Sequence, residues 1–364
     1  MSAGATRFDL TTRAGAHALL EAAVATPSPS GEEAAVVRLL VDALAPYVDR
    51  TWVDAAGNAR AVAGHGARAL VLLGHVDTVP GWVPVRIENG VLYGRGSVDA
   101  KGSAVAAAVA LARSGRAARE AWTLHWVGAV EEEVASSCGA RHLLTDLGPP
   151  ERIVIGEPSG ADAITLGYKG RLRVRLRARR ALAHSARADA TAAEALVAAW
   201  SRLQAWVEQA NASVGAAGAF DRLQVSLVQV ASAGDGLEEW ADGEVAFRLP
   251  PTWTPERLRA ALAALDLGPG VEAQADAGEV AVRGARDGAL ARAFRVAIRT
   301  SGTRPTTKVK TGTSDWNVVA PVWDADVVAY GPGDAALDHT PNEHLPLDEF
   351  DRAVAVLAAV IGAA

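Results

Sequence analysis

Cysteine is nearly absent from this chain of 364 residues, where Cys138 stands alone. A single thiol excludes an intramolecular disulfide and suits a reducing compartment. Lysine is almost as scarce. The 36 basic residues include only Lys101, Lys169, Lys308 and Lys310, and the rest are arginine. All four lysines lie in or beside glycine-rich motifs, where an ammonium and a guanidinium are not interchangeable. Excess positive charge is lacking too, since a net charge of −6 leaves no global basic field for nucleic acid. No apolar run approaches the roughly 20 residues of a membrane helix. The first residues lack the basic-then-apolar layout of a signal peptide. The expectation is a cytoplasmic protein with neither a nucleic-acid nor a membrane partner.

Several catalytic templates are missing as well. There is no His-Glu-x-x-His and no Walker glycine-lysine loop. Gly312-Thr313-Ser314-Asp315-Trp316 lacks the closing glycine of a nucleophile elbow. Gly94-Arg95-Gly96 opens like a dinucleotide fingerprint, but Asp99 occupies the third glycine position, and an acid there would repel a pyrophosphate.

What is present is ample apolar material, half of all residues, in a chain long enough for two domains. Helical spacing covers 13–24 and 32–45, the second opening at Ser30-Gly31-Glu32-Glu33. Strand-length apolar runs fall at Ala69–Leu73, Thr123–Val130 and Ile153–Ile155, with an alanine-rich helix at Ala100–Arg113. This alternation predicts a layered, mainly parallel α/β sheet. The pattern changes near Tyr168. Arg171 to Arg177 alternate strictly with apolar residues, as an antiparallel strand with one wet face does. A helix capped by Thr191-Ala192-Ala193-Glu194 follows. Strands at Leu223–Val230 and Glu244–Leu249, a helix at Pro255–Leu265 and a strand at Val271–Ala275 complete a β-α-β-β-α-β ferredoxin-like unit. Trp240 to Gly243 and Gly215 to Gly218 read as loops. A helix at Gly288–Thr300 and a strand at Ala325–Tyr330 resume the first style. The expected division is a catalytic domain over 1–168 and 281–364 with an α+β domain over 169–280 inserted.

Five segments carry the chemistry: Gly74-His75-Val76-Asp77, Ser97-Val98-Asp99, Glu131-Glu132-Glu133, Gly156-Glu157-Pro158 and Asp338-His339-Thr340. Each reads as the end of an apolar strand-like run. The carboxyl ends of strands in an open α/β sheet meet at one crevice. Oxygen and imidazole donors delivered there, without thiolate, suit hard or borderline metal ions, and their number suggests two. Neighbouring glutamates can divide metal binding from proton transfer. Taken singly the segments are weak, since His75 beside Asp77 is equally a surface histidine at a turn, and three glutamates equally a solvated charged turn.

Together the segments resemble the M20 di-metal amidohydrolases and peptidases. The order is His-x-Asp, Gly-Arg-Gly-x-x-Asp-x-Lys-Gly, a paired Glu, Gly-Glu-Pro, then His-x-x-Asn-Glu. The resemblance implies that Asp99 bridges two metals, with His75 and Glu157 completing one site and Glu133 and His339 the other. Asp77 would orient His75, and Glu132 would be general base and acid. Glu131 would stand where family members usually carry Asp, which leaves the register of the triple acid open. The inserted domain would be a lid that mediates a homodimer. From it His184 would stabilise the oxyanion in the partner's site, and Arg248 would grip a substrate carboxylate. The peptide after Asp99 is often cis in this family.

Within the family the chain is most similar to the amino-group carrier protein–lysine/ornithine hydrolases. The matching runs are Gly74 to Gly81, Gly94 to Gly102, Val127 to Glu133 and Lys308 to Asn317. The implied reaction releases lysine or ornithine from the C-terminal glutamate of a small acidic carrier, in lysine or arginine biosynthesis, with zinc or cobalt as cofactor. Asp315 is a candidate for the substrate's cationic side chain or its amine, and Lys308 or Lys310 for a carboxylate. The arginine row from Arg171 to Arg180 could dock an acidic carrier, or simply discourage edge pairing. The rivals are an N-acyl-amino-acid deacylase of the acetylornithine or succinyl-diaminopimelate type, and a non-catalytic binding protein.

Overall fold

The structure, a computed structural model, describes residues 8–182, 189–212 and 218–363. They fall into two compact units. The larger takes in the chain up to Gly167, Arg283–Val309 and the residues from Ser314 on, and the smaller Tyr168–Val282 and Lys310–Thr313.

In chain order the elements begin with α1 (Arg13–Ala25), α2 (Ala34–Leu44), β1 (Arg50–Val53), β2 (Ala59–Ala63), β3 (Arg68–His75), β4 (Arg86–Glu88) and β5 (Val91–Tyr93). There follow α3 (Lys101–Ala112), α4 (Arg116–Ala121), β6 (Trp122–Ala129), α5 (Cys138–Asp146), β7 (Arg152–Gly156) and β8 (Ala163–Tyr168). The small unit contributes β9 (Gly170–Ala181), α6 (Ala192–Asn211), β10 (Gln224–Gly234), β11 (Glu238–Leu249), α7 (Pro255–Ala263) and β12 (Val271–Ala275). The chain ends with β13 (Val282–Arg283), α8 (Ala289–Thr300), β14 (Thr306–Lys310), α9 (Asp315–Val319), β15 (Asp326–Ala329), β16 (His344–Pro346) and α10 (Leu347–Ala363).

The main sheet runs β1-β2-β6-β3-β7-β15-β8-β13, with β14 paired to β8. Its centre, β6-β3-β7-β15, is parallel, and β1, β2 and β8 pair antiparallel beside it. The last six residues of β3 are all buried, as in a parallel strand covered on both faces. Helix α3 is buried along nearly its whole length. Its alanines, glycine and serine let it lie against β3, α1 and α10, the habit of a helix with no wet face. At Gly74 an added Cβ would stand 3.4 Å from Ala104 of this helix, so small residues set the closeness of helix and sheet. No helix among the described residues is long and apolar enough to cross a membrane.

In the small unit the sheet order β10-β11-β9-β12, all antiparallel, with α6 and α7 as the two crossovers, is the ferredoxin-like arrangement. The apolar residues of β9 from Leu172 to Ala178 are buried, and the arginines at alternate positions from Arg171 to Arg179 point outward. That row is not bare, because Arg173 pairs with Glu244 and Arg177 with Asp242 on the neighbouring β11.

The structure differs from the expected pattern in four respects. Trp240 to Gly243 is not a loop but the middle of β11, paired with Arg179 to Leu176 of β9. Gly243 is there because α6 presses close: a Cβ would stand 3.3 Å from Leu196. Helix α2 begins at Ala34 rather than 32, and Glu33 turns its side chain inward instead of capping. Asp99 and His339 lie on loops and do not terminate strands. Elements beyond the expected set are mostly short, apart from the 17-residue α10.

Candidate active site

The parallel strands deliver three of the five segments side by side. His75 ends β3, Glu131 to Glu133 follow β6, and Glu157 follows β7. Asp99 comes from the glycine-rich turn between β5 and α3, and its peptide bond to Ala100 is cis. His339 arrives from the last part of the chain, with left-handed backbone at φ 63°.

These side chains form two groups that share Asp99. His75 Nε2 lies 3.3 Å from Asp99 Oδ1 and 3.7 Å from Glu157 Oε1. His339 Nε2 lies 3.0 Å from Asp99 Oδ2 and 3.0 Å from Glu133 Oε1. In each group one donor atom from every residue falls within 4.8 Å of the others. Glu132 stands beside both, its Oε2 4.0 Å from His75 Nε2. Glu131 turns away and accepts from Ser136 Oγ, so of the three glutamates only Glu132 and Glu133 enter the cluster.

The frame behind them is dense. Asp77 accepts from the backbone N–H of Glu132 and of Glu133, each at 3.0 Å, and from Ser30 Oγ at 2.7 Å. His75 Nδ1 sits 3.1 Å from the Asp77 carbonyl oxygen. A carbonyl can only accept, so Nδ1 carries the hydrogen and Nε2 faces the carboxylates. Glu33 accepts from the N–H of Glu131 at 3.1 Å, and Asn58 Oδ1 from that of Val130 at 3.1 Å. Neither Glu33 nor Asn58 carries a signal in the sequence beyond helix-start and turn chemistry, because their partners lie far along the chain.

Charge is concentrated here. Burial opposes ionisation of Asp99, yet its bonds to His339 and His75 hold the carboxyl well below the usual range. The bonds to Asp99 and Glu133 push the His339 imidazole up to about 10. Burial lowers His75, and Asp77 and Asp99 more than reverse this, so it too ends well above its ordinary value. Burial raises Glu132 well above the carboxylate range, with His75 opposing and Glu157, Asp315 and Glu133 adding to the rise. Five carboxylates, Asp77, Asp99, Glu132, Glu133 and Glu157, lie within 4.0 Å of one or other imidazole, which favours the charged form of both rings.

The remaining candidates are distributed. Asp315, the buried first residue of α9, is close enough to Glu132 to raise it. Lys308 donates to the Ser159 carbonyl at 2.8 Å, two residues beyond Glu157. Arg248 and Lys310 belong to the small unit, Arg248 3.4 Å from Thr313 Oγ1 and Lys310 over the Tyr168 ring. His184 lies outside the described residues. A third donor group, Asp54, His142 and Asp146, already holds a cation: Arg60 Nη1 donates to Asp54 at 3.0 Å and Asp146 at 2.9 Å.

A layered α/β unit with a doubled carboxylate–imidazole cluster, interrupted by a ferredoxin-like insertion, defines a class, and the sequence comparisons agree. The chain belongs to peptidase family M20/M25/M40, whose model matches residues 71–363. More particularly, it is 47% identical over 348 residues to the LysW-lysine hydrolase of Deinococcus radiodurans, covering 95% of this chain and 96% of that one. It is 24% identical to the LysW-lysine/LysW-ornithine hydrolase of Saccharolobus islandicus, over 78% of each chain. The fold matches an M20 family metallo-carboxypeptidase from Sulfolobus solfataricus with TM-score 0.78 at 18% identity, covering 95% of this chain and 98% of that one. It also matches the Bacillus subtilis YXEP protein, a dinuclear metal binding peptidase, with TM-score 0.69 at 14% identity over 98% and 99%.

Proposed function

We propose that this chain cleaves the amide joining lysine or ornithine to the C-terminal glutamate of a small acidic amino-group carrier protein, releasing the free amino acid in the cytoplasm. The reading rests on the two donor groups sharing Asp99 with Glu132 beside them. The relatives named for LysW-lysine support the substrate.

The donor set fits two divalent cations. Asp99, Glu133, Glu157 and Glu132 outnumber His75 and His339, and burying that surplus of negative charge is costly without compensating cations. All donors are oxygen or imidazole nitrogen, which suits zinc or cobalt. His75, Asp99 and Glu157 would hold one ion, and Asp99, Glu133 and His339 the other. When bound, the ions supply Lewis acidity toward the amide carbonyl and toward water. Glu132 takes the proton of the attacking water and gives one to the departing amine. Asp77 keeps His75 in the required tautomer and fixes the peptide of the acid turn, so one buried carboxylate aligns a ligand and the base. His184 would donate to the oxyanion, Arg248 and Lys308 or Lys310 would engage substrate carboxylates, and Asp315 the amine.

The inserted unit would act as lid and dimerisation domain. Strand β10 is an edge strand exposed on both faces beyond Leu227, with Val228 and Val230 more than half exposed. A long bare edge is a template for pairing with another chain. Val230→Lys should then shift the chain from dimer to monomer in sedimentation, and an unchanged dimer would place the contact elsewhere.

The deciding assay gives the zinc- or cobalt-loaded chain carrier-linked lysine and acetylornithine in parallel. Free lysine from the carrier is the expected product. Cleavage of acetylornithine with the carrier untouched would replace this reading by an N-acyl deacylase.

A further inference from the structure

Glu343 has no exposed surface. A buried carboxylate is tolerated only when its oxygens are bonded. Here Oε1 accepts the backbone N–H of Val98 at 2.9 Å and of Asp99 at 3.0 Å. Oε2 accepts from Arg95 Nη1 at 2.7 Å, and the Glu343 carbonyl accepts from the N–H of Gly94 at 3.2 Å. One residue near the chain's end therefore fastens the Gly94–Asp99 turn at both of its ends.

Arg95 reaches the other loop. Its Nη1 lies 3.3 Å from the Thr340 carbonyl oxygen, its Nη2 3.5 Å from that of His339, and its Nε 3.3 Å from that of Gly81. The planar guanidinium thus ties three separate segments, a geometry an ammonium cannot reproduce. The tie matters because Asp99 and His339 lie in neither a helix nor a strand. The His339 side chain is also 51% exposed, so packing does not hold its ring.

We propose that Glu343 and Arg95 act as one clamp that sets the Asp99 turn and the His339 loop at the spacing needed for both to hold the same cation. They are positioning residues, and they act through the backbone of the two ligands. The inference rests on the reading of Asp99 and His339 as ligands and goes beyond it, since neither clamp residue contacts the cation.

Cobalt titration of the metal-free chain, followed by its visible absorption, tests the clamp without any substrate. Glu343→Gln keeps an oxygen for Val98 and Asp99 but turns an N–H toward Arg95. Arg95→Lys keeps the charge and loses the fork. Changes to groups that orient metal ligands typically cost about 10–100-fold in affinity. Each variant should lose that much at one of two cobalt equivalents, measured where its metal-free chain is still folded. Because the two act as a unit, the double variant should be no worse than the poorer single variant. Variants that bind both equivalents as the parent does, or losses that simply add, would overturn the clamp. If Glu343→Gln fails to fold, Arg95→Lys alone decides. A parent chain that takes up no cobalt would overturn the metal-site reading itself, a result distinct from a clamp failure.

Discussion

Glu132 is the acid whose removal should separate chemistry from binding. It sits among the donors, yet the two groups of three are complete without it. Glu132→Gln should lower kcat by about 10²–10⁴, the usual worth of a positioned acid–base group, while metal analysis still finds two ions. Activity within tenfold of the parent would remove it from the proton-transfer role. His125 on β6 gives a different residue-scale prediction. Burial and the nearby Arg60 hold its imidazole down to about 4, below the ordinary 6.5. As pH falls through that window the unfolded chain binds a proton that the folded chain refuses. Stability therefore drops between pH 6.5 and 4, by at most about 3 kcal/mol from this group. His125→Gln should flatten that part of the urea-midpoint profile, and an unchanged slope would assign the loss to other groups. Which residues the fold gathers into one cluster was partly legible in the sequence. His75, Asp77, Asp99, Glu133, Glu157 and His339 announce themselves as acids and imidazoles in glycine-rich or proline-flanked turns. Glu33 and Asn58 do not, because a side chain that bonds backbone amides far along the chain leaves no local pattern, and Glu343, though it closes the His-x-x-Asn-Glu run, shows nothing there of its partners Val98 and Asp99.

Among the elements, α6 shows how far local chemistry reaches. Its capping box was readable from four residues, and both reciprocal bonds are present, Thr191 Oγ1 with the Glu194 N–H and Glu194 with the Thr191 N–H. Thr191→Ala should cost about 1 kcal/mol, as loss of a cap usually does, seen as a lower urea midpoint. The same helix hides what local chemistry misses. Trp240-Ala241-Asp242-Gly243 looks like a turn because Asp and Gly favour turns. Its strand state is imposed by pairing with β9 and by the closeness of Leu196. Gly243→Leu should therefore cost more than the cap, about 1–3 kcal/mol by overpacking, and a neutral result would show that α6 can move away. Short strands such as β13 and β16 exist through their sheet partners and have too few residues to show a period.

For the whole molecule, the layered sheet and the inserted ferredoxin-like unit were legible because the hydrophobic period changes near Tyr168. The flanking antiparallel strands were not, since β1, β2 and β8 are short, and β2 and β8 meet β6 and β15 only at long range. If two cations complete the cluster, folding and metal binding are linked. Chelation should lower the thermal midpoint, and at a free metal concentration 100 times Kd the stabilisation is about 2.7 kcal/mol per ion. A midpoint indifferent to chelator would mean the acids are neutralised in another way.

The interruption itself has a consequence. The strand before it, β8, and the strand after it, β13, are neighbours in one sheet. The inserted segment thus leaves and rejoins its host at adjacent places, like a parenthesis in a sentence. A short graft from Tyr168 to Val282, which keeps both strands, should leave the host grammatical. Engineers could exchange the enclosed clause without rewriting the text around it.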